Sequence, residues 1–205
     1  MIVAGASSHA KEVLQILNAS EKDDFTFFDD VSVEIDPFFN SFSIVRSLNK
    51  INTKEFEFVL ALGDPKSRKI VFEKLSGIGL KPASVIAPTA ASGSFRSIYG
   101  EGLNIMHHSF ISDGVQIGKG CLINALVSIH HDTILGDFVE VSPGASILGG
   151  CQIGSLTSIG AGARILPDVI IGSNCKVGAG SVVLNDLPDN AVAVGVPAKV
   201  IKHNG

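Results

Sequence analysis

Between residues 105 and 183 an aliphatic side chain recurs at every sixth position: Ile105, Ile111, Ile117, Ile123, Ile129, Leu135, Val141, Ile147, Ile153, Ile159, Ile165, Ile171, Val177 and Val183. Four residues after each of these the side chain is mostly small or of modest size, as at Val115, Cys121, Val127, Thr133, Ala145, Cys151, Thr157, Ala163, Val169, Cys175 and Ser181. A period of six fits neither the helical 3.6 nor the two-residue alternation of an exposed strand. It predicts a hexapeptide-repeat coil, with three hexads to a triangular turn and residues 18 apart stacked at the strand spacing of about 4.8 Å. The aliphatic residues then fill the prism and the small ones pack beside them. Glycine often follows the aliphatic residue, at Gly118, Gly136, Gly154, Gly160, Gly172 and Gly178, as expected where a corner needs a permissive backbone. Fourteen hexads make between four and five coils, and a less regular stretch from about Val85 adds the first turn.

The pattern before residue 85 differs. Met1 to Ala4 is a short apolar run that meets a turn at Gly5-Ala6-Ser7-Ser8, and Ala10, Val13, Leu14 and Leu17 then follow helical spacing. A second run, Phe25-Thr26-Phe27-Phe28, ends in Asp29-Asp30. A third, Phe56 to Leu62, ends in Gly63-Asp64-Pro65 before a helical segment around Lys66 to Leu75. The order βαβ…βα predicts a small parallel sheet flanked by helices, a Rossmann-like α/β unit.

Composition sharpens this division. Nine of the 12 phenylalanines lie in residues 1 to 84, and 18 of the 22 glycines lie beyond them, so two differently built domains are expected, 1–84 and 85–205. Sixteen basic against 20 acidic side chains leave a net charge of −4, which disfavours nucleic acid or an anionic membrane surface as partner. No stretch approaches the roughly 18 apolar residues of a membrane span, and no basic n-region of a signal peptide opens the chain, so a cytoplasmic protein is expected. The three cysteines, Cys121, Cys151 and Cys175, all fall at the small inward position of the hexad and are read as core residues rather than nucleophiles or ligands.

Candidate chemistry has two centres. Ligands of open parallel sheets bind beyond the carboxyl ends of the strands, which here carry Gly5 to His9, Asp29-Asp30 and Gly63-Asp64. The first turn offers a helix N-terminus to a phosphate, and an acidic residue after the second strand suits a ribose hydroxyl. The same residues also satisfy a purely structural role, in which Gly5 makes the turn and Ser7 or Ser8 caps the helix. On the coil, His131 alone among the histidines is followed by a carboxylate, Asp132, at a corner. The 18-residue rule stacks Asp113 before it and Gly149 after it, so Gly149 leaves room for an acyl group and can offer an N–H to a polarised carbonyl. His107 holds the same hexad position one coil and one face away and ranks second as a base. A three-histidine zinc site is unlikely, because Leu126 and Gly136 stand where its partner histidine would be needed, so no metal is expected.

Several strings carry a family resemblance: Gly5-Ala6-Ser7-Ser8-His9-Ala10-Lys11, Phe28-Asp29-Asp30, Ile123-Asn124, His130-His131-Asp132, Ser142-Pro143-Gly144-Ala145, Val177-Gly178-Ala179-Gly180 and Gly195-Val196-Pro197-Ala198-Lys199. They resemble the sialic acid O-acetyltransferase / nucleotide amino-sugar N-acetyltransferase family over essentially the whole chain. The resemblance implies a left-handed parallel β-helix behind the N-terminal domain and a homotrimer with active sites between neighbouring prisms. It implies acetyl-CoA as co-substrate, held by backbone groups at Gly149, Ala161 and Ala179. It places a UDP-linked 4-amino-4,6-dideoxy sugar on Ser7, Ser8, His9, Asp29, Asp30 and Gly63, with His131 as base and Asp132 as its supporting acid. Acetylation of a sugar hydroxyl and a non-catalytic scaffold are the alternative readings. The chain departs from the family at Ser8, where many members have glycine, and at Glu140, where members often carry a second histidine thought to contact the cofactor near its thioester. An ionised carboxylate cannot donate a hydrogen bond, so Glu140 stays outside the expected site.

Overall fold

A computed structural model describes residues 1–19, 25–32, 34–51 and 57–204. The N-terminal sheet contains β1 (Ile2–Ala4), β2 (Thr26–Phe28), β3 (Ser43–Val45), β4 (Glu57–Leu60) and β5 (Lys81–Pro82), all parallel in the order β3-β2-β1-β4-β5. The predicted start of the third apolar run at Phe56 lies outside the described residues. The edge strands β3 and β5 were not expected; each is two or three residues long, too short to show an alternation. Helices α1 (Ser8–Ala19) and α2 (Pro65–Gly77) follow β1 and β4. Asp64 caps α2 by accepting the Ser67 N–H at 2.8 Å, and Pro65 occupies its first turn, where a missing N–H costs nothing. Among the described residues no helix is long and apolar enough to cross a membrane.

The coil is a parallel β-helix with three faces of two-residue rungs. Register pairs such as Phe110 with Ser128, Gln116 with Ile134 and Leu122 with Glu140 realise the 18-residue stack. The first face carries rungs at 104–105, 122–123, 140–141, 158–159 and 176–177, the second at 110–111 to 182–183, and the third at 116–117 to 170–171. The irregular first turn, from Val85–Ile86, contains one extra residue: Val85 pairs with Asn104 and Ala91 with Phe110. All fourteen aliphatic positions are buried, and so are the small positions, including the three free cysteines. Each thiol reaches a carbonyl of the neighbouring rung, at 3.1 Å from Cys121 to Gly136, 3.0 Å from Cys151 to Leu166 and 3.1 Å from Cys175 to Pro188. Burial pushes the Cys121 thiol up to about 12, so it stays protonated and inert.

One expectation about glycine is corrected. The left-handed corner residues sit three places after the aliphatic position, as at Gly114 (φ +72°) and Gly150 (φ +74°), not one place after it. At the glycines directly after the aliphatic residue the constraint is close approach of the next coil: a Cβ on Gly154 would lie 2.4 Å from the Ser173 nitrogen. These glycines therefore let rungs touch rather than let the chain turn.

The chain ends by adding Ala191–Gly195 to the first face beside Lys176–Val177 and folding back antiparallel as Ala198–His203. The N-terminal domain packs on the first face as well. Val13, Leu14 and Leu17 of α1 share a core with Val85, Met106 and Leu122, while Phe72 of α2 meets Phe138 edge-on at 5.4 Å. Burying aromatic rings of this size contributes about 1.5–3 kcal/mol each. The seam also contains Arg68, which is fully buried. Its guanidinium donates to the carbonyls of Leu62 (2.7 Å), Gly120 (2.8 Å) and Cys121 (3.1 Å), tying α2 to the coil.

Candidate active site

His131 and Asp132 occupy the edge between the second and third faces. The imidazole Nδ1 and the Asp132 Oδ2 are 2.9 Å apart, and the side chains are 68% and 76% exposed. A carboxylate on Nδ1 fixes the tautomer that leaves Nε2 free to accept a proton. Asp132 adopts φ +58°, in the left-handed region that a non-glycine residue seldom enters. Its carboxylate lies over Gly114, where a Cβ would come within 2.7 Å of Oδ1.

Gly149 stacks directly on the imidazole, since a Cβ there would fall 2.6 Å from both Cε1 and Nε2. Gly149 has ordinary backbone angles, so alanine is acceptable to the main chain and acts only by displacing the ring. We expect Gly149→Ala to leave the melting temperature unchanged and to lower kcat on the order of 10- to 100-fold through misplacement of the base. Unchanged turnover would show that the ring position does not matter.

The six residues expected to hold a nucleotide do not form one pocket. Ser7, Asp29 and Asp30 border a cleft of about 380 Å³ with Lys74 and Ile70, at the point where β1 lies between β2 and β4. Asp29 is spent on structure there. Its carboxylate accepts the N–H groups of Ala6 (3.2 Å), Val31 (3.2 Å) and Ser32 (2.8 Å) and the Ser32 hydroxyl (2.8 Å). Burial pushes this acid up, but the Ser32 bonds, with those of Val31 and Ala6, outweigh it and hold the carboxyl below its ordinary value. Asp30 pairs with Lys74 at 2.5 Å. Gly5 (φ +110°) packs so closely on Ala61 and Leu62 that a Cβ would come within 2.7 Å of the leucine side chain.

Ser8, His9 and Gly63 border a second cleft, of about 460 Å³, between the N-terminal domain and the first face of the coil. Both helices begin beside this cleft, at Ser8 and Pro65. His9 Nε2 accepts from Asn104 Nδ2 at 3.3 Å, and its Nδ1 lies 2.9 Å from Glu12. Its burial lowers its pKa, only partly offset by Glu12, so the ring is neutral at physiological pH.

The coil side of this cleft carries Leu122, Asn124, Glu140, Ser158 and Lys176. Of these, Asn124 appeared in the sequence only as part of a motif, and Glu140 stood outside the expected site. Glu140 Oε1 accepts from Asn124 Nδ2 (2.9 Å) and from the Ser142 hydroxyl (2.8 Å). Burial raises its pKa, partly countered by Ser142, Asn124 and the charge of Arg68. Past Glu12 and Asn124 the cleft continues into a groove along the first edge, lined by Met106, His107, Ala125 and Pro143. His107 is bonded to the Thr89 hydroxyl (2.7 Å), with no carboxylate partner among the described residues. Ala161 and Ala179 lie farther along that first edge, whereas Gly149 lies on the second edge with His131. Among the described residues no three His, Cys, Asp or Glu side chains converge to hold a metal ion.

Comparison with known proteins fits both halves. Residues 1–75 match the PglD N-terminal domain, and residues 132–166 and 150–185 match the bacterial transferase hexapeptide repeats. The chain is 29% identical to GDP-perosamine N-acetyltransferase of Escherichia coli O157:H7 over 156 residues, 72% of this chain and 69% of the relative. It superimposes with a TM-score of 0.88 on a mutant perosamine N-acetyltransferase from Caulobacter crescentus in complex with CoA and GDP-perosamine, at 28% identity over 98% of this chain and 96% of that one. The acetyltransferase domain of PglB from Neisseria gonorrhoeae FA1090, in complex with acetyl coenzyme A, gives the same TM-score at 29% identity, covering 98% of each chain. The coil is accordingly a left-handed parallel β-helix. The chain thus joins a PglD-type N-terminal domain to a bacterial transferase hexapeptide coil, the arrangement of the acetyltransferases it superimposes on over 98% of its length.

Proposed function

We propose that the protein transfers the acetyl group of acetyl-CoA to the amine of a nucleotide-linked 4-amino-4,6-dideoxy sugar, with His131 as general base. The observation that carries this reading is the His131-Asp132 pair under Gly149, a base with a fixed tautomer beside a position with no side chain. The relatives named above, which are sugar N-acetyltransferases or are bound to CoA or acetyl-CoA, support the donor and the kind of acceptor.

In the proposed reaction the amine nitrogen attacks the thioester carbonyl, a C–N bond forms and the C–S bond breaks. His131 Nε2 takes the proton lost by nitrogen and returns it to the departing thiolate. Asp132 stabilises the imidazolium in between, and the Gly149 N–H steadies the oxyanion. The diphosphate of the acceptor rests between the two helix N-termini at Ser8 and Gly63, and the base extends toward Ser7 and Asp30. Asp29 acts here as an organiser of the turn, because its oxygens already hold four protein donors. The sugar then lies over the first face, and the pantetheine arm of acetyl-CoA runs along the first edge past Ala161 and Ala179.

Gly149 and His131 lie on a different edge from Ala161 and Ala179, so the reading includes a homotrimer in which the second edge of one protomer meets the first edge of the next. The family resemblance favours a UDP-linked acceptor, and the solved Caulobacter relative holds a GDP-linked one. A panel of UDP- and GDP-linked amino sugars, assayed with acetyl-CoA and a thiol reagent, is expected to release CoA with one of them. Thiol release with a sialic acid hydroxyl acceptor and with none of the amines would replace this reading by O-acetylation.

A further inference from the structure

Of the carboxylates that border the two clefts, Asp64 caps α2 and Glu12 meets His9, and Glu140 alone stands on the coil wall. Asp29 is saturated by protein donors and Asp30 is paired with Lys74. Glu140 uses only one oxygen: Asn124 Nδ2 and the Ser142 hydroxyl both donate to Oε1, and Oε2 has no partner among the described residues. The two bonds fix the rotamer, so the second oxygen is presented in a set direction on the wall of the interdomain cleft. Behind it lies Arg68, a buried cation whose three hydrogen bonds all go to carbonyls, leaving its charge unmatched by any direct ion pair. A half-buried carboxylate held by two donors, with a cation behind it and one free acceptor, is a receptor for an N–H group.

The geometry points to Glu140 as the residue that recognises the acceptor amine, with Oε2 accepting one amine N–H and thereby selecting an amino sugar over a hydroxyl sugar. This inference rests on the reading of the interdomain cleft as the sugar site. The amine binds as its ammonium and first gives one proton to solvent; its lone pair then faces the thioester while one N–H is held by Glu140, and the proton lost on attack goes to His131. Asn124 and Ser142 are positioning residues, acting on the substrate through Glu140. Selectivity arises from charge: the amine in its ammonium form makes a charge-assisted bond to the carboxylate, whereas a hydroxyl donates only a neutral O–H and, being able to accept as well, is indifferent to an amide in its place.

Glu140→Gln tests this without changing the shape of the side chain. The amide oxygen keeps the Asn124 and Ser142 bonds, and the amide NH₂ takes the place of Oε2, turning acceptor into donor. Calorimetric titration with GDP- and UDP-linked 4-amino-4,6-dideoxy sugars and their 4-hydroxy counterparts is the measurement. For the amine ligand, Kd is expected to rise tenfold or more in the variant; for the hydroxy ligand it stays the same or falls. Equal weakening of both ligands would mean a general structural role and overturn the inference. So would an unchanged Kd for the amine, or wild-type protein that binds neither ligand. Wild-type protein that binds the amine more tightly than the hydroxy sugar, loses that preference in the variant, yet releases no CoA would uphold amine recognition and remove the catalytic reading alone.

Discussion

Replacing His131 with alanine lowers kcat by about 10²- to 10⁴-fold, the usual contribution of a positioned general base, while acceptor binding and the melting temperature stay as in the wild type. The thermal half of this expectation follows from exposure: with 68% of the side chain in solvent and a single side-chain partner, Asp132, the imidazole holds nothing together. The kinetic half follows from the surroundings, a fixed tautomer on one side and the bare backbone of Gly149 on the other. Steady-state kinetics with the acceptor identified by the panel, alongside a thermal melt, check both. Near-wild-type kcat in this variant would remove His131 from the mechanism and direct attention to His107 on the first edge.

Arg68→Leu is expected to give a large loss of stability at the domain seam. The leucine restores apolar volume and removes a buried charge whose burial pushes the guanidinium pKa down to about 10. It also strips the carbonyls of Leu62, Gly120 and Cys121 of a side-chain donor inside the protein. The Cys121 carbonyl keeps the Asn104 N–H at 2.9 Å, so two carbonyls are orphaned, each at a cost of about 1–3 kcal/mol. Relief of charge burial offsets part of the sum, leaving a net loss of about 2–4 kcal/mol and a melting temperature lower by roughly 5–10 °C for a chain of this size. Arg68→Lys, whose ammonium reaches fewer of the three carbonyls, is expected to fall between. A melting temperature within about 1 °C of wild type for the leucine variant, on the scale of the general relation between stability and midpoint, would show that the seam does not depend on this residue.

Arg68 also marks where reading the sequence reached its limit. It stands at i of an i, i+3, i+4, i+7 stripe completed by Val71, Phe72 and Leu75, and an arginine on the apolar face of a helix is a visible anomaly. Two of its three partners are carbonyls about 50 positions away, which no local pattern names. The coil was legible because each hexad repeats one local rule: an aliphatic residue inward, a small one beside it, and neighbours set by counting 18. The stacking of Gly149 on His131 followed from that count alone. The nucleotide residues were harder, because adjacent letters can face different spaces: Ser7 borders one cleft and Ser8 the next. Glu140 was set aside for what its carboxylate cannot donate, whereas its place in the cleft depends on what it can accept.

The uniform hexads of the coil separate what the fold tolerates from what the chemistry tolerates. Insertion of one extra hexad between Asp132 and Glu140 would keep an aliphatic residue at every inward position, since all three faces obey the same rule. Everything downstream would advance by one face, carrying Gly149 off the edge that holds His131 and Glu140 off the face that meets the N-terminal domain. Along the regular rungs only whole coils, 18 residues, keep the later edges in phase with the earlier ones, and the one extra residue of the first turn is taken up between its rungs. Length variation along the regular rungs is thus quantised, and a substitution at one fixed rung, rather than an added hexad, is the change that leaves every other rung in phase.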